Sequence, residues 1–182
     1  MTNRKKNIVK KKSKTIQIIT IILIIGLLLY LVFSNFKINN DNEKTAVKAY
    51  TSIDFVKNGE LTFLSKSDEY ISRIDIEIAE DNISRENGLM YRSKMQADRG
   101  MFFIFPFDSI QSFWMKYTLI PLDIIFVNSH NEIVTIHQDT IPFDEEGHYA
   151  STKPAQFVLE VNAGYTDSLG IIEGDKIVWR RN

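Results

Sequence analysis

The stretch Tyr70–Ala79 reads YISRIDIEIA, and hydrophobic and charged residues alternate along it. Its isoleucines from Ile74 onward are separated by Asp75 and Glu77, which is the two-residue period of a strand with one buried face. The stretch therefore predicts a β-strand whose isoleucines pack in the core of the domain.

Further short apolar runs follow this strand, and turn-forming residues separate them. They span residues 101–105, 112–117, 123–127, 133–136, 156–161 and 176–179. Asp81 has the residue type of a helix N-cap and predicts a short helix over residues 82–91, while residues 162–169 predict a second helix. Short strands at regular spacing favour a mainly β domain, a small antiparallel barrel or sandwich with one or two short helices.

Charge is distributed unevenly along the chain. The first 36 residues hold seven basic and no acidic residues, which leaves 15 basic against 23 acidic residues in the remainder. Such an acidic body lacks the basic surface that phosphate backbones require, so no nucleic-acid partner is expected. The chain has no cysteine, which excludes disulfides, thiolate catalysis and a cysteine-linked lipid.

The segment from Thr15 to Phe33, TIQIITIILIIGLLLYLVF, carries no charge. About 19 helical residues cross a hydrocarbon core of about 30 Å, and the basic residues before it predict a cytoplasmic N-terminus. No small-x-small cleavage pattern follows, so an uncleaved single-pass anchor in the cell membrane is favoured over a cleaved signal. The predicted organisation is a basic cytoplasmic head (1–14), a transmembrane anchor (15–36), a polar linker (37–51) and an extracytoplasmic β-domain (52–182).

Five sequence blocks, in order, carry a resemblance to a known family. They are GLMYR (88–92), GMFFIF (100–105), FWMK (113–116), IPLDIIF (120–126) and VLEVNAG (158–164), followed by Gly170 and Gly174-Asp175. Together they resemble the domain of unknown function 192 family of bacteria and archaea, over roughly residues 74–178. The resemblance implies a compact β-rich domain, often secreted or membrane-tethered, with no established activity. The family pattern continues after FWMK with Asn-Thr, whereas this chain has Tyr117-Thr118.

Six polar or aromatic residues are the candidates for a binding site. On a strand through residues 113–118, Trp114 and Lys116 share a face, and Asp123 opens the next strand where it can return opposite Lys116. Glu160 is a carboxylate between apolar neighbours. The residues predicted to converge on one pocket are Arg92, Trp114, Lys116, Asp123, Glu160 and Asn162.

Several functions are compatible with these residues. In a ligand- or partner-binding module of the cell envelope, Arg92 and Lys116 hold a carboxylate or phosphate and Trp114 stacks on a ring or sugar. In a hydrolase acting on an envelope polymer, Asp123 and Glu160 form a carboxylate pair. A structural subunit of a membrane complex, in which the charges only form ion pairs and turn caps, is the third possibility. Whether the protein is an enzyme stays open at this level.

No metal or cofactor is predicted. The three histidines, His130, His137 and His148, lack the spacing of metal ligands, and no phosphate-binding loop or dinucleotide motif is present. The expected partners are the membrane, through Thr15 to Phe33, and a small-molecule, glycan or envelope-protein ligand.

Overall fold

The computed structural model describes residue 20, residues 22–31 and residues 53–182. Residues 20 and 22–31 are helical and form helix α1. Within the described residues, no helix has both the length and the hydropathy needed to cross a bilayer. The predicted head, the predicted linker and both flanks of the predicted anchor lie outside these residues.

Residues 53–182 form the body, which contains nine strands and two short helices. The helices are α2 (Asn82–Asn87) and α3 (Tyr165–Leu169). The strands are β1 (Gly59–Leu64), β2 (Tyr70–Ala79), β3 (Arg99–Ser109), β4 (Ser112–Phe113), β5 (Leu122–Val127), β6 (Ile133–His137), β7 (Tyr149–Ala150), β8 (Ala155–Asn162) and β9 (Lys176–Arg181).

Seven strands form one sheet in the order β6-β5-β8-β3-β2-β1-β9, and β4 pairs with β7 separately. The mainly β class is confirmed, but within residues 53–182 the sheet does not close into a barrel. Its two edges meet only locally, at the bridge between Glu132 and Lys176. Three backbone hydrogen bonds accompany this bridge, from Ile133 N–H to Asp175 O (2.8 Å), from Gly174 N–H to Ile133 O (2.9 Å) and from Ile177 N–H to Asn131 O (2.9 Å). The pair β2–β3 is parallel, because α2 and the following loop carry the chain back across the sheet.

The sheet is packed on both faces. The first core lies on one face and includes Phe63, Ile76 and Phe102, while the second core on the other face includes Phe103 and Phe126. Buried residues on both faces explain why β5 has an unbroken apolar run apart from its single aspartate.

One row of residues crosses the sheet on the face of the second core. Glu77 pairs with Met101, Met101 with Glu160, and Glu160 with Ile124, across β2, β3, β8 and β5. Directly paired residues share a face, and Met101 and Ile124 belong to the second core. Both carboxyls of the row therefore lie in an apolar layer.

Helix α2 begins and ends with well-defined caps. The Asp81 carboxylate accepts hydrogen bonds from Ile83 N–H (2.9 Å) and Ser84 N–H (3.0 Å), which confirms it as the N-cap. Gly88 ends the helix at a φ of +45°, and a Cβ there would stand 3.3 Å from the Phe103 ring. The helix stops at Asn87, short of the predicted stretch, because Gly88 with its positive φ turns the chain onto the sheet.

The predicted strand over residues 112–117 is mostly a turn. Only Ser112 and Phe113 are extended, and Tyr117 has a φ of +56°. Its carbonyl accepts a hydrogen bond of 2.8 Å from Tyr91 N–H, which draws the turn toward the loop after α2.

The two ends of the body lie side by side. Asn182 N–H donates to Asn58 O at 3.0 Å, and the Asn182 side chain donates to Lys57 O at 3.3 Å. Strands β1 and β9 continue this contact as an antiparallel pair.

Candidate functional site

Asp123 is fully buried and saturated with hydrogen bonds. Its carboxylate accepts from Asp139 N–H (3.0 Å), Gly164 N–H (3.1 Å), Thr166 N–H (2.9 Å) and the Thr166 hydroxyl (2.7 Å). These donors belong to the loop after β6 and to the start of α3. Asp123 therefore joins two loops to β5, as a turn cap does, and has little capacity left for a ligand.

Glu160 lies on the opposite face of the sheet. Register pairs it with Ile124, whereas Asp123 pairs with Val161, so the two carboxyls point to different sides. Glu160 is 5% exposed, and no described residue donates a hydrogen bond to its carboxyl. Burial raises the pKa of Glu160 to about 8, so the group is mainly protonated at neutral pH.

A narrow cleft ends on Glu160. Its walls come from the end of α2 with the loop that follows, and from the turn after β4. The lining residues include Gly88, Leu89, Phe103, Phe113, Trp114 and Thr118. The cleft volume of about 30 Å³ has room for roughly two water molecules, so only a slender group reaches the carboxyl.

Besides Glu160, the charged residues of the lining are Arg85 and Glu86, and the turn after β4 adds an aromatic ring, Trp114, with a cation beside it. Trp114 is 41% exposed. Lys116 Nζ lies 5.3 Å from the Trp114 ring centroid and 5.1 Å from that of Tyr117, and Lys116 forms no ion pair within residues 53–182. Lys116 therefore lies beside Trp114, on a turn rather than on the predicted strand, and it is not among the residues that line the cleft with Glu160.

Two bulky residues beside the cleft have left-handed backbone conformations. Tyr91 has a φ of +64° and Tyr117 a φ of +56°, and their rings stack with centroids 5.4 Å apart. This conformation is costly for an aromatic residue and persists only where the surroundings impose it. Each of the two loops that form the walls of the cleft therefore holds one such residue, and other turns of the body hold the remaining non-glycine residues with positive φ.

Arg92 does not line this cleft and is directed toward Glu77. The two side chains form a buried ion pair, with 10% and 7% of their surface exposed, and Glu77 also accepts a hydrogen bond from Val56 N–H. The buried Arg92 Nε has no partner among the described residues. Asn162 donates to Met95 O and to Gln96 O, each at 3.2 Å, and so holds the loop that follows Arg92.

Arg92 lines a second, larger cavity of about 280 Å³. Its walls are the first described residues of the body, the loop after Arg92 and the start of β3. The lining residues are Ile53, Asp54, Phe55, Ser93, Lys94, Met95, Gln96 and Arg99, together with Arg92.

The six predicted residues thus occupy three places. Trp114 and Glu160 line the first cleft, with Lys116 beside Trp114. Arg92 and Asn162 lie at the second cavity and the loop beside it, and Asp123 is on the opposite face. The carboxylate pair of Asp123 and Glu160 that a hydrolase would use is not formed, because the register places the sheet between them.

Sequence reasoning missed Glu77 and the two tyrosines. The alternating pattern placed Glu77 on a solvent-facing side of the strand, but the second core covers that face. For Tyr91 and Tyr117, the one signal in the sequence is that each lies in or next to a family block, GLMYR or FWMK.

Comparison with known families confirms the resemblance seen in the sequence. The family model described as DUF192, Uncharacterized ACR, matches residues 63–179. An uncharacterised UPF0127 protein from Pyrococcus furiosus is 27% identical over 114 residues, which cover 60% of this chain and 90% of that protein.

Two solved structures share the fold. One, from Sinorhizobium meliloti and described only as a candidate transcription regulator, is 35% identical with a TM-score of 0.64 and covers 69% of this chain and 98% of its own. The other, a protein of unknown function from Novosphingobium aromaticivorans, is 33% identical with a TM-score of 0.62 and covers 66% and 84%.

Proposed function

The chain belongs to the DUF192 family, described as Uncharacterized ACR, and from that premise we propose that its body is a ligand-binding module of the cell envelope. The binding site is the cleft over Glu160, and its ligand is a neutral, hydroxyl-bearing molecule of the glycan class. One observation carries the proposal: Glu160 is buried at the end of an open cleft without a donor from any described residue.

A buried carboxyl without partners is unfavourable for the folded state. Buried polar groups are paired in nearly all native structures, and an unpaired group costs about 1–3 kcal/mol. Asp123 demonstrates that the same sheet can satisfy a buried carboxyl completely. A hydroxyl of a ligand supplies the missing partner for Glu160.

Protonation defines the ligand class. With a pKa of about 8, the Glu160 carboxyl at neutral pH donates through its O–H and accepts through its C=O. A sugar hydroxyl also donates and accepts, so one hydroxyl can form hydrogen bonds with both oxygens of the Glu160 carboxyl. An ammonium ligand would instead favour the ionised carboxylate.

The rim supports the same class. The exposed Trp114 ring offers the flat apolar face on which a sugar ring stacks, and Lys116 beside it offers donors to ring oxygens. Because only a slender group enters the cleft, the ring of the ligand stays at the rim while one hydroxyl reaches Glu160.

The test is a titration of the full chain, in detergent, with neutral and acidic oligosaccharides of the cell envelope, followed by calorimetry. We expect Trp114→Ala to weaken binding roughly tenfold through lost stacking, and Glu160→Leu by at least as much. Glu160→Gln keeps both a donor and an acceptor, and we expect its affinity at pH 7 to stay within about threefold of the wild type.

The pH profile separates this role from a purely structural one. Wild-type affinity falls above pH 8 as Glu160 ionises, whereas Glu160→Gln removes that fall. Trp179→Phe is the matched control for loss of a tryptophan away from the cleft. Equal affinity of Glu160→Leu and wild type would refute the proposed site.

Attachment to the membrane is part of the same proposal. The uncharged segment from Thr15 to Phe33 after seven basic residues supports a single-pass anchor with the body outside the cytoplasm. Protease added to intact spheroplasts should then digest the body while alkaline extraction leaves the N-terminal segment in the membrane pellet. Protection of the body, or release of the segment by alkali, would contradict it.

A further inference from the structure

The second cavity has the character of an anion site. Of the side chains that line it, three are basic, Arg92, Lys94 and Arg99, and one is acidic, Asp54. Glu77 neutralises part of the Arg92 charge by its ion pair, so the balance of these five groups is one positive charge. Neither Lys94 nor Arg99 forms an ion pair with any residue in the range 53–182.

Arg99 is held in an orientation that leaves its donors available. Its guanidinium lies over the Phe55 ring, 4.4 Å from the centroid. A guanidinium stacked on a ring fixes its plane and directs its N–H groups sideways, where they match the oxygens of a carboxylate or phosphate.

Arg92 has unused donors although it is nine-tenths buried. One terminal nitrogen binds Glu77, while the other makes no hydrogen bond to a described residue, and Nε is buried without a partner. Asn162 fixes the wall of the cavity by its two hydrogen bonds to the backbone at Met95 and Gln96. The backbone of the cavity wall is therefore held in place, and the described residues do not fully pair the Arg92 cation at its base.

We propose that this cavity binds the phosphate group of a small ligand, with Arg99 and Lys94 as its principal contacts and Arg92 beneath them. Its volume of about 280 Å³ exceeds the space of a bare phosphate and matches a phosphate with a small substituent. Such a group occurs both on soluble phosphate monoesters and, as a diester, on lipid headgroups. This site is separate from the cleft over Glu160 and does not depend on the glycan proposal.

The experiment is calorimetry of the full chain in a non-ionic detergent, with two probes. Inorganic phosphate represents the monoester, and dihexanoyl phosphatidylglycerol below its critical micelle concentration represents the headgroup. We expect at least one probe to bind the wild type and to lose tenfold or more of its affinity in Arg99→Gln and in Lys94→Gln. Stronger binding of phosphate identifies the soluble source, and stronger binding of the diester identifies the lipid.

Lys153→Gln is the matched control, because it removes one exposed positive charge outside the cavity. Its affinity should equal that of the wild type at fixed ionic strength. The proposal is overturned if neither probe binds, or if Lys153→Gln weakens binding as much as the two cavity variants. Both cavity positions are on the wall rather than in the core, and thermal unfolding of each variant verifies that the body is folded.

Discussion

Asp123 on β5 and Glu160 on β8 are neighbouring buried carboxyls, one step apart in register, but their surroundings differ. Asp123 accepts four hydrogen bonds from two loops, whereas Glu160 accepts none from a described residue and faces a cleft. The first carboxyl stabilises the fold, and the second costs stability. A buried charge-bearing residue therefore indicates a binding site only when its donors are missing, not merely because it is buried.

Removing the Asp123 carboxylate should have the largest effect on stability. Asp123→Ala leaves the buried N–H group of Thr166 and the half-buried N–H group of Gly164 without an acceptor, and we expect a loss of roughly 3–5 kcal/mol in the free energy of unfolding. Urea denaturation of the full chain measures it. A loss below about 1 kcal/mol would contradict the conclusion that Asp123, unlike Glu160, stabilises the fold.

The second prediction concerns the pH dependence that Glu160 imposes. Below pH 4.5 the carboxyl is protonated in both the folded and the unfolded chain and has no effect. Between pH 4.5 and about 8 the unfolded chain ionises while the folded chain keeps its proton, so the free energy of unfolding falls as pH rises. Above about pH 8 this contribution is constant.

Glu160→Gln removes this proton linkage. We expect the variant to be more stable than the wild type by roughly 2–4 kcal/mol at pH 9, and to show little difference at pH 4. Parallel denaturant titrations at the two pH values provide the comparison. A wild type whose stability rises between pH 5 and pH 8 relative to the variant would show that Glu160 has a donor after all.

The smallest effect should come from a single donor to Asp123. Thr166→Val preserves shape and removes the hydroxyl that lies 2.7 Å from the carboxylate, and we expect a loss of about 1–2 kcal/mol. Thr166→Ser keeps the hydroxyl and is the control. If both variants lose the same amount, the methyl group rather than the hydrogen bond is responsible.

The local pattern of the chain was enough to predict most of the strands. The alternation in Tyr70–Ala79 predicted β2, and the structure confirms both of its ends. The apolar run around Ile125 predicted β5 to within one residue. Strand β1 was missed. It has only six residues, and its pairing with β2 and β9 depends on long-range contacts. The segment 114–118 has strand composition, but its backbone hydrogen bonds go to loops.

The site could be predicted only in part for a related reason. Trp114, Lys116 and Glu160 were selected by residue type; Trp114 and Glu160 line one cleft, and Lys116 lies beside Trp114. Asp123 was grouped with them although a one-residue step in register moves a side chain to the other face of a sheet. The register depends on how β5 pairs with β8, which lies 30 or more residues away in the sequence. Local periodicity carries no information on that register.

The contact between Asn58 and Asn182 places the first and last strands' outer ends next to each other. A short peptide could join the two ends without disturbing β1 or β9, and the chain could be opened instead in the exposed loop around Glu145. The order of the strands along the gene is thus only one of several that specify the same sheet. For engineering, the adjacent ends allow the whole body to be inserted at one position in a loop of another protein.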